Sequence, residues 1–535
     1  MAFLPVRSLL LPASLCALVA AIPPPEPTPL EANRVTPREP VITPSRVDYH
    51  PSKTRAWRGR RDLLDSVESD VNSVLNFLGS DVPSYVASGI PQFFEGLPTG
   101  DDVKSSLGVD DDQLAAEPTN VLNISPYANW TDQGWNVRFH GNVYKQPNVS
   151  NETLSDLADS LFIYGTDLSS LPDSQQAQAR NLTAEIFIVQ QGDVEVNTIH
   201  IEPSPGQGSS GEPGGGGASN TTGGEQNVTL PYNTTFLGDF DTFVPIDLNG
   251  LTPGNETQEI QRLNTHVEGA SLGNSTAYLV PPEGYTVVSD IDDILRVTKI
   301  YQPEQGLLNS FARPFTAWDN MPSIFADWSE NYPNMHFHYL TTTPEQATRN
   351  YMQFIYSTYP GGSFDTRPLN FSDVSATLHI RRFLLNKVIQ TFPQRKFVLI
   401  ADVSNSDVMT EYPQMAKDYG DQISCVLLRN TSATDDSFRF PYDTSGFEGL
   451  DQSRYMFFRT AADLEGLDIG NGQCYNTSVP QNLTFGYQNL PFGIGDTPAV
   501  NGSAEDSDSA GVVAASARSG AALTAFLGVV AWLVL

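Results

Sequence analysis

The sequence predicts an α/β domain built on a Rossmann-like parallel sheet, preceded by a β-sandwich domain. Three observations carry this. Between residues 130 and 280, short runs alternate apolar and polar side chains between turn residues, the pattern of half-buried strands. After Gly284 the rhythm changes to fully apolar runs separated by stretches at helical spacing, as in parallel strands joined by helical crossovers. Acidic or hydroxyl residues come directly after three of those runs, at the rim where open parallel sheets bind ligands.

The 535 residues divide into seven segments. Residues 1–21 read as a secretory signal, with Arg7 ahead of an apolar run that ends at Ala21. Residues 22–61 are a Pro-rich disordered leader that ends in the dibasic Arg60-Arg61, a propeptide cleavage site or a solvated linker. Residues 62–127 hold an amphipathic helix (Leu63 to Leu78) and a linker. The β-sandwich spans 128–283, with strand candidates at Trp135–Tyr144, Ala184–Val189, Phe243–Leu248 and Ala277–Val280 and a Gly/Ser-rich loop at 204–224. The α/β domain spans 284–470. Its strand candidates are Thr286–Ser289, His336–Leu340, Phe397–Ile400, Ile423–Leu428 and Tyr455–Arg459. Its helix candidates are Pro344–Tyr356, Leu378–Phe392 and Met409–Tyr419. Residues 471–510 form a linker. Residues 511–535 end in a short apolar tail behind Ser509-Ala510-Gly511, the pattern of a GPI signal, with a hydrophobic tail anchor as the alternative.

Composition narrows the function. The chain carries 62 acidic against 30 basic residues, a formal charge of −32, which argues against a nucleic-acid binder. Three cysteines exclude a disulfide-dense scaffold and a multi-cysteine zinc module. With Cys16 in the signal, Cys425 and Cys474 remain, either as one disulfide or as two separate buried thiols. Fifteen sequons stand at Asn123, Asn129, Asn148, Asn151, Asn181, Asn220, Asn227, Asn233, Asn255, Asn274, Asn370, Asn430, Asn476, Asn482 and Asn501. That density behind a signal points to the secretory pathway and a cell-surface glycoprotein, GPI-anchored to the membrane through the C-terminus.

The chemistry collects at strand ends. Asp290-Ile-Asp292-Asp293 comes after one strand, Thr341-Thr342-Thr343 after a second, and Ala401-Asp402, with Asp407 beyond it, after a third. Carboxylates two residues apart can hold a hard cation, or divide nucleophile and proton-donor roles. Hydroxyls and backbone N–H groups suit phosphate oxygens, and Arg381 is a cation to balance them. His336 and His338 are read as packing residues on opposite faces of their strand.

These motifs carry a resemblance. Ser289-Asp-Ile-Asp-Asp293, Phe337-His-Tyr-Leu-Thr-Thr-Thr-Pro344, Tyr359-Pro-Gly-Gly362 and Lys396-Phe-Val-Leu-Ile-Ala-Asp402 resemble the catalytic domain of the fungal actin-patch-protein phosphatidate phosphatases, a branch of the haloacid dehalogenase (HAD) superfamily. The resemblance implies an HAD-like domain that hydrolyses phosphatidate or another phosphate monoester. In it Asp290 is the nucleophile and Asp292 the acid and base. Thr341, Thr342 and Arg381 bind phosphate, with Lys387 as an alternative cation out of register. Mg²⁺ lies among Asp290, Asp292, Asp402 and Asp407. The chain departs from the pattern at Ile294 (usually Thr), Thr342 (usually Asn), Arg381 (usually Lys) and Ala401-Asp-Val-Ser404 (usually Gly-Asp-Ser-Gly). A catalytically degenerate surface glycoprotein is the alternative.

Overall fold

A computed structural model describes residues 100–161, 167–196, 198–204, 223–299, 303–332, 334–367, 380–404, 406–434 and 444–481. The signal, leader, dibasic site, Leu63–Leu78 helix and C-terminal tail lie outside the described residues, as does most of the Gly/Ser-rich loop. Among the described residues no helix is long and apolar enough to cross a membrane.

The chain enters through two short helices, α1 (Gly100–Leu107) and α2 (Asp111–Ala116). Asp110 caps α2 in a reciprocal capping box with Gln113. Strand β1 (Thr119–Ile124) is next, so sheet structure begins inside the stretch read as a linker. Then come β2 (Tyr127–Thr131) and the twelve-residue β3 (Gly134–Lys145), and helices α3 (Asn151–Leu161) and α4 (Asp173–Ile186). Strands β4 (Val189–Gln190), β5 (Ile199–Pro203), β6 (Gln226–Val228), β7 (Asp239–Pro245), β8 (Gln261–Val267) and β9 (Ser275–Val280) complete the first half. The first half of the strand expected over Ala184–Val189 is the end of α4, because Ala179, Leu182 and Ile186 form a buried helical stripe, and only Val189 is in a strand.

These strands form one nine-stranded, mainly antiparallel sheet rather than the two sheets of a sandwich. β3 is long enough to pair with β1 and β2 on one side and with β4 and β7 on the other. The sheet curls. The backbone of β1 bonds to the β8–β9 turn (Val121 N to Leu272 O, 2.9 Å), and Trp135, Ile199, Leu263 and Leu279 share one core.

The second half is a six-stranded parallel sheet. β10 (Tyr285–Ser289) leads to α5 (Pro303–Phe311), α6 (Met321–Asn331) and β11 (Met335–Pro344). The chain continues through α7 (Glu345–Thr358), β12 (Ser363–Arg367), α8 (Ile380–Thr391), β13 (Lys396–Asp402), α9 (Ser406–Asp418), β14 (Ile423–Arg429) and β15 (Tyr455–Phe458). The strand order is β12-β11-β10-β13-β14-β15, the doubly wound arrangement with its topological switch beside β10. Alternate residues enter two cores. Val287, Phe337, Val398 and Leu427 pack with α6 and α7, while Val288, Leu340, Leu399 and Leu428 pack with α8 and α9. Strand β12 was absent from the expected set because Ser-Phe-Asp-Thr-Arg looks polar, yet all five residues are buried. Gly362 permits its approach, since a Cβ there would lie 2.3 Å from the Phe337 carbonyl oxygen.

The halves do not meet as two separate domains. Tyr127, Ile260, Tyr278 and Val280 belong to the same core as α8 and α9. The second half also extends past residue 470. Cys474 and Val479 lie in its core, and Gln481 accepts the Phe457 N–H at 2.9 Å. Cys425 of β14 and Cys474 are joined in a disulfide that closes a 49-residue separation. Loop-closure entropy for that length gives a stabilisation of roughly 4 kcal/mol. The paired Cys425→Ala/Cys474→Ala variant should therefore melt well below the parent, while reductant should lower the parent's Tm and leave the variant's unchanged. Equal melting of parent and variant would refute this.

A carboxyl pair couples the first sheet to α7. Glu345, buried at the start of α7, shares a hydrogen bond with Asp239 of β7. Burial, reinforced by the neighbouring carboxyl, pushes Glu345 well above the usual carboxylate range, and burial pushes Asp239 up to about 7. Both groups bind protons more tightly folded than unfolded. Their contribution is complete below the unfolded carboxylate range and is lost as pH rises through about 7. Between pH about 5.5 and about 8.5, Glu345→Gln should lose less Tm than the parent. Parallel Tm–pH curves would rule out the shared proton.

Candidate active site

Hydrogen bonding to both neighbours brings the end of β10 level with β11 and β13, Ser289 lying opposite Tyr339 and Ile400. The next residue, Asp290, donates its N–H to the Ile400 carbonyl at 2.8 Å. Asp402 closes β13 two residues further along. On the other side, β11 bulges. Three residues, Thr341 to Thr343, stand between the paired positions Leu340 and Pro344, while β12 has only Thr366 between Asp365 and Arg367. The strand-end motifs thus converge on one rim, and Asp290, Asp292, Asp293 and Asp402 are each at most 4 % exposed.

Arg381, at the start of α8, donates from Nη1 to Asp290 Oδ2 at 3.0 Å. The cation expected to face phosphate therefore stands on the candidate nucleophile. Lys387 does not join it, pairing instead with Asp241 of β7. Asp292 is held from several sides. Arg296 reaches its Oδ1 with Nε (2.9 Å) and Nη2 (2.8 Å), the Thr298 hydroxyl donates to the same oxygen at 2.8 Å, and Thr343 donates to Oδ2 at 3.3 Å. Asp402 Oδ2 accepts the Ser404 N–H (2.9 Å) and the Thr431 hydroxyl (3.0 Å), whereas its Oδ1 is buried with no hydrogen-bond partner. Burial, with Asp293 and Asp290 adding negative charge, pushes Asp402 up to about 7. Thr341 Oγ1 accepts the Thr343 N–H at 3.1 Å and the Tyr351 hydroxyl at 3.4 Å, and Thr342 is buried beside it.

Asp292 is placed differently from Asp290 and Asp402. Its carboxylate is committed to Arg296, Thr298 and Thr343, and the acids whose charge bears on Asp402 are Asp290 and Asp293. Asp293 takes up a left-handed backbone (φ 59°), accepts the Thr298 and Lys299 N–H groups, and receives Arg429 at its carbonyl. Burial raises its pKa, although Arg429 opposes the shift. Asp407 lies in α9, and its side chain is outside the described residues. Among the described residues no three His, Cys, Asp or Glu side chains gather to hold an ion unaided. Mg²⁺ does not need three, since it is commonly held by one or two carboxylates with water and substrate phosphate. The Asp402 Oδ1 atom, which has no hydrogen-bond partner among the described residues and lies near Asp290 and Asp293, fits such a cation.

Arg296, Thr298, Arg429 and Thr431 are not among the residues the sequence points to, and Thr343 enters there only as part of the Thr341–Thr343 run. The spacing of Arg296, four residues after Asp292, was the one available signal. The histidines share a face instead of opposing each other. Residues two apart on a strand point the same way, and His336 Nε2 and His338 Nδ1 both lie 2.8 Å from Ser363 Oγ. Burial lowers both, His338 to about 4, so they are neutral core groups.

Among the sequons, Asn148, Asn151, Asn181, Asn227, Asn233, Asn255 and Asn274 are exposed, and Asn129 and Asn476 are half-buried. Asn123 is buried, with Nδ2 donating to Thr265 Oγ1 and Gly273 O, and Asn430 is 8 % exposed. A glycan on Asn123 has no room in this fold. Asn220, Asn370, Asn482 and Asn501 lie outside the described residues.

One comparison with known proteins falls on this part of the chain. Residues 285–430 match the sequence family described as "Phosphatidate phosphatase APP1, catalytic domain", a stretch that contains Asp290, Asp292, Thr341, Arg381 and Asp402. The class indicated is a phosphatidate phosphatase-like hydrolase. No curated protein matches the chain. One solved structure, Bacteroides uniformis beta-glucuronidase 2 covalently bound to cyclophellitol-6-carboxylate aziridine, aligns at 8 % identity with a TM-score of 0.16. That alignment covers 58 % of this chain and 36 % of the other.

Proposed function

We propose that the chain is a Mg²⁺-dependent phosphatase of the HAD type. Its substrate is phosphatidate, yielding diacylglycerol, or a related phosphate monoester. The observation that carries this is the buried Asp290–Arg381 pair at the end of β10, beside the switch point of the parallel sheet and inside the family match. A phosphate monoester arriving there meets Arg381 in place of water, and Asp290 attacks phosphorus in line to form an aspartyl-phosphate. Asp292 gives a proton to the departing alkoxide and later takes one from the hydrolytic water. Thr341 and Thr342 donate to the phosphoryl oxygens. Asp290 and Asp402, with Asp407 nearby in the chain, would hold the cation, which when bound would supply positive charge against the phosphoryl oxygens.

Supporting an exported setting are the seven exposed sequons and the disulfide. We propose a cell-surface location with a C-terminal GPI anchor, to be tested by release with a phosphatidylinositol-specific phospholipase. The activity test is phosphate release from phosphatidate vesicles and from p-nitrophenyl phosphate, with Mg²⁺ and with EDTA. Release that EDTA abolishes supports the reading. No release by folded protein favours the degenerate glycoprotein.

A further inference from the structure

We propose that Arg296 is a positioning residue that clamps one oxygen of Asp292 so that Oδ2 alone is left to exchange protons with the substrate. The inference deepens the phosphatase reading and rests on it. A carboxylate has two equivalent oxygens and turns easily about its last bond. Here the two are unequal. Oδ1 takes three short donors, from Nε and Nη2 of Arg296 and from the Thr298 hydroxyl, all within 2.9 Å. Oδ2 has only the longer 3.3 Å contact from Thr343.

The clamp is itself held rigid. The guanidinium lies 3.9 Å from the Tyr351 ring centroid and 5.4 Å from that of Phe315. Arg296 is 1 % exposed. Its backbone closes the acidic turn, with the Asp293 N–H on the Arg296 carbonyl (2.9 Å) and the Arg296 N–H on the Ile291 carbonyl (3.2 Å). Tyr351 also donates to Thr341 Oγ1 at 3.4 Å, so one aromatic floor supports both the clamp and the phosphate-facing hydroxyl. A planar fork can bond through two nitrogens and stack at once, which the ammonium of lysine cannot do.

The test uses the full chain and steady-state kinetics on p-nitrophenyl phosphate with Mg²⁺, with vanadate as the phosphate-site probe. Arg296→Ala should lower kcat about 100-fold, the cost of a displaced reacting group. KM and vanadate inhibition should stay within about threefold, because ground-state binding is untouched. Millimolar guanidinium should restore part of the rate, and Arg296→Lys should not. If Arg296→Ala does not fold, Thr298→Val removes one Oδ1 donor with little change of shape and should lower kcat with KM retained. Parental kcat in Arg296→Ala, or in Thr298→Val, would overturn the inference, as would losses in KM and vanadate affinity that match the loss in kcat. A parent that neither turns over nor responds to vanadate removes the phosphatase reading itself, and the role of Arg296 with it.

Discussion

Replacing Asp290 with Asn is expected to lower Mg²⁺-dependent phosphate release by roughly four to six orders of magnitude, the range for removal of a member of a catalytic group, with a nucleophile at the upper end. The amide keeps the shape of the side chain and its bond to the Ile291 N–H but has no anionic oxygen to attack phosphorus. It also takes the negative partner from Arg381, which is 1 % exposed and faces Asp290 Oδ2 at 3.0 Å. A buried cation that loses a carboxylate partner costs stability, so circular dichroism must show that the variant is folded before its rate is interpreted. The sharper control is the phosphoenzyme. Acid-quenched parent should carry acyl-phosphate label from a phosphate donor and Asp290→Asn should not. Equal label in both, or turnover by the variant within tenfold of the parent, would move the nucleophile elsewhere.

Replacing Arg138 with Met should destabilise the protein by about 3–5 kcal/mol, the cost of breaking a buried ion pair from one side. Arg138 of β3 is 2 % exposed and meets two carboxylates. It grips Asp241 of β7 with Nε and Nη2 (2.9 Å each) and Asp365 of β12 with Nη1 (2.5 Å) and Nη2 (3.2 Å). Burial alone would raise Asp365, yet Arg138 overrides it and holds the acid below its usual range. Asp241 is held lower still by Arg138 and Lys387. His140 lies 3.9 Å from Asp365, and burial together with Arg138 lowers it to about 3, so it is neutral in the parent. Methionine fills the space and leaves Asp365 without its main cation in a dry site. Arg138→Met/Asp365→Leu should recover much of the loss, because a buried pair exchanged for apolar groups is often nearly neutral. Thermal melts of the two single variants and the double variant decide it. A single variant within about 1 kcal/mol of the parent, or a double no better than the singles, would show that the cluster is hydrated and weak. The cluster also matters for the site. Lys387, on the same helix as Arg381, is tied to Asp241, so the first sheet holds α8 in place.

The parallel sheet was legible because its strands are buried on both faces and read as uninterrupted apolar runs. β10, β11, β13, β14 and β15 fall where Val287, Phe337, Val398, Val426 and Phe457 predict them. β12 was not legible, because its Ser363 and Asp365 are buried through partners distant in sequence, and no local pattern reports such pairing. The first half was misread for a related reason. Antiparallel alternation announces strands, but it does not say whether they form one sheet or two. That depended on β3 being long enough to take neighbours along both edges.

By itself the sequence determined the order of the strand-end motifs and hence which acids and hydroxyls reach the rim, since chain order and strand length fix the residues that leave each strand. Tertiary structure alone decided their partners. Arg381 is ninety-one residues from Asp290 and Thr343 fifty-one from Asp292, and spacing in the chain carries no information about approach over such separations. The same holds for Asp293, whose charge bears on Asp402, and for Asp292, which is tied to Arg296. Both acids come after one strand, and only the left-handed turn at Asp293 and the Arg296 clamp on Asp292 separate their roles.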